Sequence, residues 1–243
     1  MHSDKVVLIT GGCGNVGKCL IERMKGHSTL ICCDVSEKIY DYEDISLGVY
    51  AIQCDLTNIE ILHKKLIELS EKGIEINQAI LAHGKIAYGK IENTSYLEFQ
   101  DMIESNLSSF FLVLKELIPY FKKNGGGDIV VLSSQFAKTA AYDLMAYCTS
   151  KAALKHLVKC IALDYAEDGI IINSVSPGIM AGKMNDEISK NYENLNVNWK
   201  LLTSRMPIRE ILVQDVVDSI IFLINQKSVT GTDLIIDGGF TIR

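Results

Sequence analysis

The residues best suited to chemistry lie between Ser134 and Lys151. Tyr147 and Lys151 are four positions apart, and Ser134 precedes the tyrosine by thirteen. The apolar spacing that follows predicts a helix over residues 146–165, and the i, i+4 spacing then places the phenol and the ammonium on one face. A free tyrosine ionises near pKa ~10, and a neighbouring cation favours the phenolate. The pattern therefore predicts that Lys151 prepares Tyr147 for general acid/base catalysis while Ser134 binds a substrate oxygen.

A Tyr-x-x-x-Lys spacing is not specific on its own, because a surface lysine above a partly buried tyrosine has the same pattern. A catalytic interpretation requires a fold that brings Ser134, Tyr147 and Lys151 to a ligand site. The elements at the start of the chain predict such a fold.

The N-terminal segment has the pattern of a nucleotide-binding strand, turn and helix. Residues 5–10 form a continuous apolar, β-branched run, which is typical of a parallel strand buried on both faces. A glycine-rich turn follows directly, and residues 18–25 are predicted to be helical. Backbone N–H groups and the positive end of the helix then meet at one point, which suits a pyrophosphate. The turn contains Gly11, Gly14, Asn15, Val16 and Gly17.

Asp34 ends the second predicted strand, residues 29–33, and lies 23 residues after Gly11. A carboxylate near this offset can accept hydrogen bonds from the adenosine ribose hydroxyls and repels a 2′-phosphate. No arginine or lysine lies between Gly11 and Val16 to offset that repulsion, so NAD is favoured over NADP. The alternative is that Asp34 only caps a turn before Ser36.

Strands alternate with helices along the rest of the chain. Further strands are predicted over residues 49–54, 78–82, 128–133, 170–175 and 234–236, with Thr57 capping the helix after the third and Asn93 or Thr94 capping the helix after the fourth. This alternation predicts one α/β domain, residues 1–243, with a doubly wound parallel sheet of about seven strands. Residues 183–206 have one apolar helical face, which predicts either a substrate lid or a packing or subunit contact.

Composition excludes several classes of partner. The 243 residues carry a net charge of −6, which disfavours nucleic acid and anionic membranes, and no apolar run is long enough to span a bilayer. The seven cysteines are scattered without metal-ligand spacing, so we expect no metal site and a reducing compartment. A cytoplasmic, soluble protein is expected.

These features in this order resemble the short-chain dehydrogenase/reductase family, in its compact single-domain branch, over essentially the whole chain. The resemblance implies that Tyr147 is the catalytic acid/base, that Ser134 orients the substrate oxygen and that Lys151 lowers the pKa of Tyr147 and binds the nicotinamide ribose. It also implies that Asn106 anchors a proton-relay water. The other cofactor contacts that it implies are Asp55 and Leu56 at the adenine, Ala82 and Gly84 beneath the cofactor, and Pro177, Gly178 and Ile179 at the nicotinamide.

The sequence departs from that family pattern at three places. Asn15 replaces the middle glycine of the turn, and asparagine tolerates a left-handed backbone. His83 replaces a small residue after the fourth strand, and a structural role is favoured for it over a catalytic one. Gly182 replaces the threonine that usually contacts the nicotinamide carboxamide. Family members usually form homodimers or homotetramers through helices that correspond to residues 95–123 and 146–166.

The favoured function is hydride transfer between NAD(H) and a small secondary alcohol or ketone. Two alternatives stay open: a sugar-nucleotide epimerase or dehydratase with bound NAD, which the spacing of Gly11, Gly14 and Gly17 suggests, and a non-catalytic NAD-binding module. The predicted substrate pocket mixes aromatic and polar groups from Gln135, Phe136, Tyr142, Met145 and residues 183–206.

Overall fold

A seven-stranded parallel sheet forms the centre of the protein, with helices on both faces. The computed structural model describes residues 5–180, 206–208 and 211–242. The strands, in the spatial order β3-β2-β1-β4-β5-β6-β7, are β1 (Val6–Thr10), β2 (Thr29–Asp34), β3 (Val49–Gln53), β4 (Gln78–Leu81), β5 (Gly127–Leu132), β6 (Ile170–Pro177) and β7 (Asp233–Ile236). All neighbouring strands pair in parallel, which confirms the predicted doubly wound sheet.

The helices of the described residues divide between the two faces of the sheet. They are α1 (Asn15–Met24), α2 (Glu60–Glu71), α3 (Tyr96–Ile103), α4 (Ser109–Lys123), α5 (Met145–Asp164) and α6 (Val213–Ile224). Side chains of α2, α4 and α5 form one apolar core with one face of the strands, and α1 and α6 form the other. The strands are apolar throughout because both of their faces are covered.

The winding direction reverses between β1 and β4. β2 and β3 lie on one side of β1, whereas β4 to β7 extend on the other. At such a switch point the connections after the two central strands diverge, and a crevice opens at their carboxyl ends. The loops that follow β1 and β4 line this crevice.

The helix starts differ from the sequence predictions. α1 begins at Asn15 rather than Lys18, directly after an extended Gly14. α2 begins at Glu60, because Asp55 accepts hydrogen bonds from the backbone N–H and the hydroxyl of Thr57, and Thr57 therefore belongs to a turn. The Asn58 side chain accepts from the N–H of Glu60 instead.

The cap of α3 was also wrongly predicted. A short 3₁₀ turn covers Ile91–Asn93, and the Thr94 hydroxyl donates to the carbonyl of Lys90. Ser95 caps the helix, accepting from the N–H of Glu98 while the Glu98 carboxylate accepts from the N–H of Ser95. This reciprocal pair satisfies two N–H groups that the helix itself leaves open.

The predicted lid, residues 183–206, lies outside the described residues except for Met206, which is buried against the core that contains α1 and α6. Gly182 also lies outside them. None of the helices α1 to α6 has the length and apolar character that crossing a membrane requires.

Candidate active site

Glycines allow the loop after β1 to pack closely against the loop after β4. Gly11 has φ +72°, and a Cβ there would lie 2.8 Å from the carbonyl oxygen of Ala82. A Cβ on Gly17 would overlap the carbonyl oxygen of Gly11. Side chains at these two positions would therefore push the loop away from the crevice.

The first turn of α1 is open to a ligand. Its N-cap residue, Gly14, provides no side-chain hydrogen bond, so the first N–H groups of the helix are not capped by that residue. Asn15 and Val16 are the first two helical residues. Asn15 has a right-handed helical backbone, so the turn does not need asparagine's tolerance of the left-handed conformation. Among the described non-glycine residues, only Asp143 has a positive φ. This arrangement fits a pyrophosphate group.

Asp34 ends β2 beside this turn. One carboxylate oxygen accepts from the N–H of Cys13 and the other from the N–H of Ser36, both at 2.9 Å. Asp34 therefore caps the turn at Ser36, as in the alternative interpretation, and it also faces a cavity. That cavity, of about 460 Å³, is lined by Asp34, Asp55 and Leu56 as well as by Gly11.

A second cavity, of about 330 Å³, brings the predicted catalytic residues together. Ser134, Tyr147 and Lys151 line it. The predicted cofactor residues that also line it are Gly14, Asn15, Val16, Gly17, Ala82, Gly84, Pro177, Gly178 and Ile179. The two cavities share Gly14 and the residues from Ala82 to Lys85. They form one cleft across the ends of β1 and β4, a shape that suits a dinucleotide.

Ser134 and Tyr147 are neighbours in this cavity. Ser134 follows the end of β5 in an extended conformation, and its oxygen accepts from the N–H of Phe136 at 3.2 Å. Burial raises the pKa of Tyr147, and the neighbouring Ser134 hydroxyl opposes that rise. The partly buried phenol is therefore in its protonated form, with the Ser134 hydroxyl as a polar neighbour.

Lys151 lies one turn along α5 from Tyr147 and is buried. Its ammonium donates to the carbonyl oxygen of Leu132 at 3.0 Å and lies 5.2 Å from the centre of the Phe110 ring. Burial lowers the pKa of Lys151 to about 8. The expected effect of Lys151 on the pKa of Tyr147 stays a prediction.

Asn106 lies next to the catalytic residues but lines neither cavity. It belongs to a π-helical turn, Glu104–Ser108, between α3 and α4. Its side chain accepts from the N–H of Lys85 at 2.9 Å and donates to the carbonyl of Lys85 at 2.8 Å. A Cβ on Gly84 would lie 2.8 Å from its side-chain oxygen and 3.4 Å from the Lys151 ammonium. Asn106 thus fixes the loop after β4, and its role with a water stays a prediction.

His83 has the surroundings of a structural residue, as favoured from the sequence. Its ring stacks on Phe110, with the centroids 3.8 Å apart, and its nitrogens are hydrogen-bonded to the hydroxyls of Thr10 and Ser109. Burial, and to a lesser degree the charge of Lys151, lowers the pKa of His83 to about 3. The imidazole is therefore neutral.

The pocket residues were only partly identified from the sequence. Gln135 and Phe136 line the cavity, but Tyr142 and Met145 do not, and the Tyr142 side chain is 74% exposed. Tyr88 and Leu144 line it instead. The sequence did not predict either residue as part of the pocket. Their positions depend on how the loop after β4 packs, where Gly89 pairs with Leu144. Across the described parts of the chain, no three histidines, cysteines or carboxylates are grouped as a metal ion would need.

Two known proteins resemble this chain over almost their full lengths. An uncharacterized oxidoreductase of Thermotoga maritima is 32% identical, with 98% of this chain and 97% of that protein covered. The NAD-dependent glycerol dehydrogenase of Listeria innocua is 26% identical, with coverages of 99% and 95%.

Solved structures share both the fold and part of the sequence. A short-chain dehydrogenase from Leptospira borgpetersenii with bound NAD⁺ is 28% identical and superposes with a TM-score of 0.85, covering 99% of this chain and 94% of that one. ElxO with NADP bound is 25% identical, with a TM-score of 0.86 and coverages of 98% and 99%. A family model described as enoyl-(acyl carrier protein) reductase matches residues 23–241. The chain is thus an oxidoreductase that belongs to the short-chain dehydrogenase/reductase family.

Proposed function

We propose that this protein transfers a hydride between NAD(H) and a secondary alcohol or ketone, with Tyr147 as the general acid/base. The observation that carries the proposal is that Ser134 and Tyr147 line the same cavity as the buried Lys151. Proton transfer to or from a substrate oxygen needs a group that is within hydrogen-bonding reach and protected from water. Tyr147 lines the cavity and is partly buried, so it can serve as that group.

The three side chains have separate tasks in this proposal. Ser134 hydrogen-bonds the substrate oxygen and keeps it at the Tyr147 phenol, which donates its proton in reduction and accepts one in oxidation. Because the pKa of Lys151 is about 8, its ammonium is mostly charged at pH 7. That charge stabilises the phenolate that forms when Tyr147 gives up its proton.

The cleft fits a dinucleotide along its whole length. The open N–H groups at the start of α1 suit the pyrophosphate, and Asp55 and Leu56 suit the adenine end. Gly84 and the segment Pro177–Ile179 line the other end, where the nicotinamide would supply the hydride acceptor.

Asp34 supports NAD rather than NADP. Its carboxylate is fixed by two backbone N–H groups, and a ribose 2′-phosphate placed there would meet its negative charge. The Leptospira neighbour has NAD⁺ bound and the Listeria relative is described as NAD-dependent, while ElxO has NADP bound. The negative charge of Asp34 favours NAD, the cofactor of the Leptospira neighbour and the Listeria relative.

Absorbance at 340 nm tests the proposal directly. Purified protein with a panel of secondary alcohols should form NADH from NAD and NADPH from NADP, with kcat/KM for NAD at least about tenfold above that for NADP, because two like charges about 4 Å apart repel by about 1 to 4 kcal/mol. Protein that retains bound NAD and forms no free NADH would instead favour the epimerase alternative. NADH binding without turnover of any alcohol would favour a binding module.

A further inference from the structure

The side chain of Gln135 is a buried amide that has no hydrogen-bonding partner among the described residues. Gln135 follows Ser134 directly, lines the same cavity and is 1% exposed. Neither its side-chain nitrogen nor its side-chain oxygen is hydrogen-bonded within the described structure. Its main-chain carbonyl accepts from the N–H groups of Lys138 and Thr139, so its backbone is fixed in a turn.

Such an amide destabilises the protein while it stays unpaired. Buried polar groups in proteins are almost always hydrogen-bonded, and an apolar side chain of the same size would avoid the penalty. A fully buried amide that has no partner in the described structure, and that lines the cavity of the predicted catalytic residues, therefore indicates a partner that is supplied by a ligand.

Those neighbours of the amide that the structure describes do not provide that partner. A Cβ on Gly178 would lie 2.9 Å from the Gln135 side-chain oxygen, so this glycine leaves the space that the amide occupies. Asp237 also lies beside Gly178, but its carboxylate already accepts from the N–H groups of Gly239 and Thr241, at 2.9 and 2.8 Å. The amide thus lies against Gly178, in the segment assigned to the nicotinamide, and Gln135 follows Ser134 directly in the chain.

We propose that Gln135 binds a second oxygen of the substrate, on the carbon next to the reacting one, so that the substrate class is vicinal diols and α-hydroxy ketones. This inference rests on the hydride-transfer function proposed above. An amide offers a donor and an acceptor together, and a hydroxyl is a small group that can complement both. The cavity of about 330 Å³ also has to hold the nicotinamide, so only a small substrate fits beside Ser134 and its second oxygen lies close to the first.

The test compares matched alcohols that differ by one hydroxyl, butane-2,3-diol with butan-2-ol and cyclohexane-1,2-diol with cyclohexanol. Wild-type protein should prefer the diols in kcat/KM. Gln135→Met keeps the side-chain length and removes both polar atoms, and it should lower kcat/KM for the diols about tenfold to a hundredfold more than for the mono-alcohols. Gln214→Met makes the same chemical change at an exposed residue of α6 and should leave the diol preference unchanged.

Two further measurements separate recognition of the substrate from other roles. Without ligand, Gln135→Met should melt at the same temperature as wild type or higher, because an unpaired polar group is removed. A clear fall in melting temperature would show that the amide is structural, and a tenfold weaker Kd for NADH would assign it to the cofactor. Either result overturns the inference, as does an unchanged diol preference in Gln135→Met. NADH formation from none of the alcohols would refute the hydride-transfer function itself.

Discussion

The aromatic ring of Phe110 contacts two ionisable side chains of the cleft, those of His83 and Lys151. His83 stacks on it, and the Lys151 ammonium lies 5.2 Å from its centre. The Ser109 hydroxyl donates to the carbonyl of Ser105, so it accepts from the Nε2–H of His83, and the Thr10 hydroxyl then donates to Nδ1. This network is satisfied by a neutral imidazole, so of the two residues only Lys151 brings a positive charge to the ring.

The neutral state of His83 predicts acid sensitivity. Its pKa is about 3 in the folded protein and 6.5 in an unfolded chain. Between these values the unfolded chain binds a proton that the folded protein does not, so the free energy of unfolding falls as the pH falls below 6.5. From pH 6.5 to 4.5 wild type should lose about 2 kcal/mol more stability than His83→Asn, measured by urea unfolding. Equal losses in the two proteins would contradict a neutral His83 in the folded protein.

At the residue scale, the sequence predicted which side chains share a cavity better than the contacts that they make there. The grouping of Ser134, Tyr147 and Lys151 was predictable because their spacing follows from one helix and the end of one strand. The contact of Lys151 with the carbonyl of Leu132 and the isolation of the Gln135 amide were not, because both depend on how distant strands and loops pack.

At the scale of elements, the turn between β1 and α1 depends on two glycines that touch each other. Since a Cβ on Gly17 would overlap the Gly11 carbonyl oxygen, Gly17→Ala should displace the turn. We expect about 1–3 kcal/mol lower stability and at least tenfold weaker NADH binding, measured by unfolding and by fluorescence titration. The binding loss follows because the displaced turn carries the N–H groups that would contact the pyrophosphate.

Gly73→Ala is the matched control for that variant. Gly73 has φ +75° with open space around it, and it lies after α2, away from both cavities. Alanine there should cost about 1 kcal/mol through backbone strain alone and leave NADH binding intact. Equal NADH affinity in the two variants would show that the turn after β1 does not hold the cofactor.

The errors at helix starts have local physical causes. A Ser-x-x-Glu pattern at Ser95 to Glu98 was present in the sequence and marks the true start of α3. Thr57 looked like a cap, but Asp55 binds it in a turn of its own. The π-helical turn at Asn106 had no sequence signal, because it depends on the hydrogen bonds that Asn106 makes with Lys85.

At the scale of the whole molecule, the sheet order determines where the site lies. The reversal between β1 and β4 places the cleft at their carboxyl ends, and β5 and β6 deliver Ser134 and Pro177 to the same edge. This architecture was predictable, since continuous apolar strands alternating with helices favour one topology. Assembly as a homodimer or homotetramer stays a prediction; α4 and α5 leave the large apolar side chains of Phe111 and Leu163 exposed.

The most direct measurement of the central claim is the turnover of Tyr147→Phe with NAD and the best alcohol of the panel. The phenylalanine keeps the ring and removes the hydroxyl that would exchange the proton with the substrate. We predict that kcat falls by about a hundredfold or more while the Kd for NADH stays within about threefold of wild type. Retained turnover in this variant would contradict the assignment of Tyr147 as the acid/base.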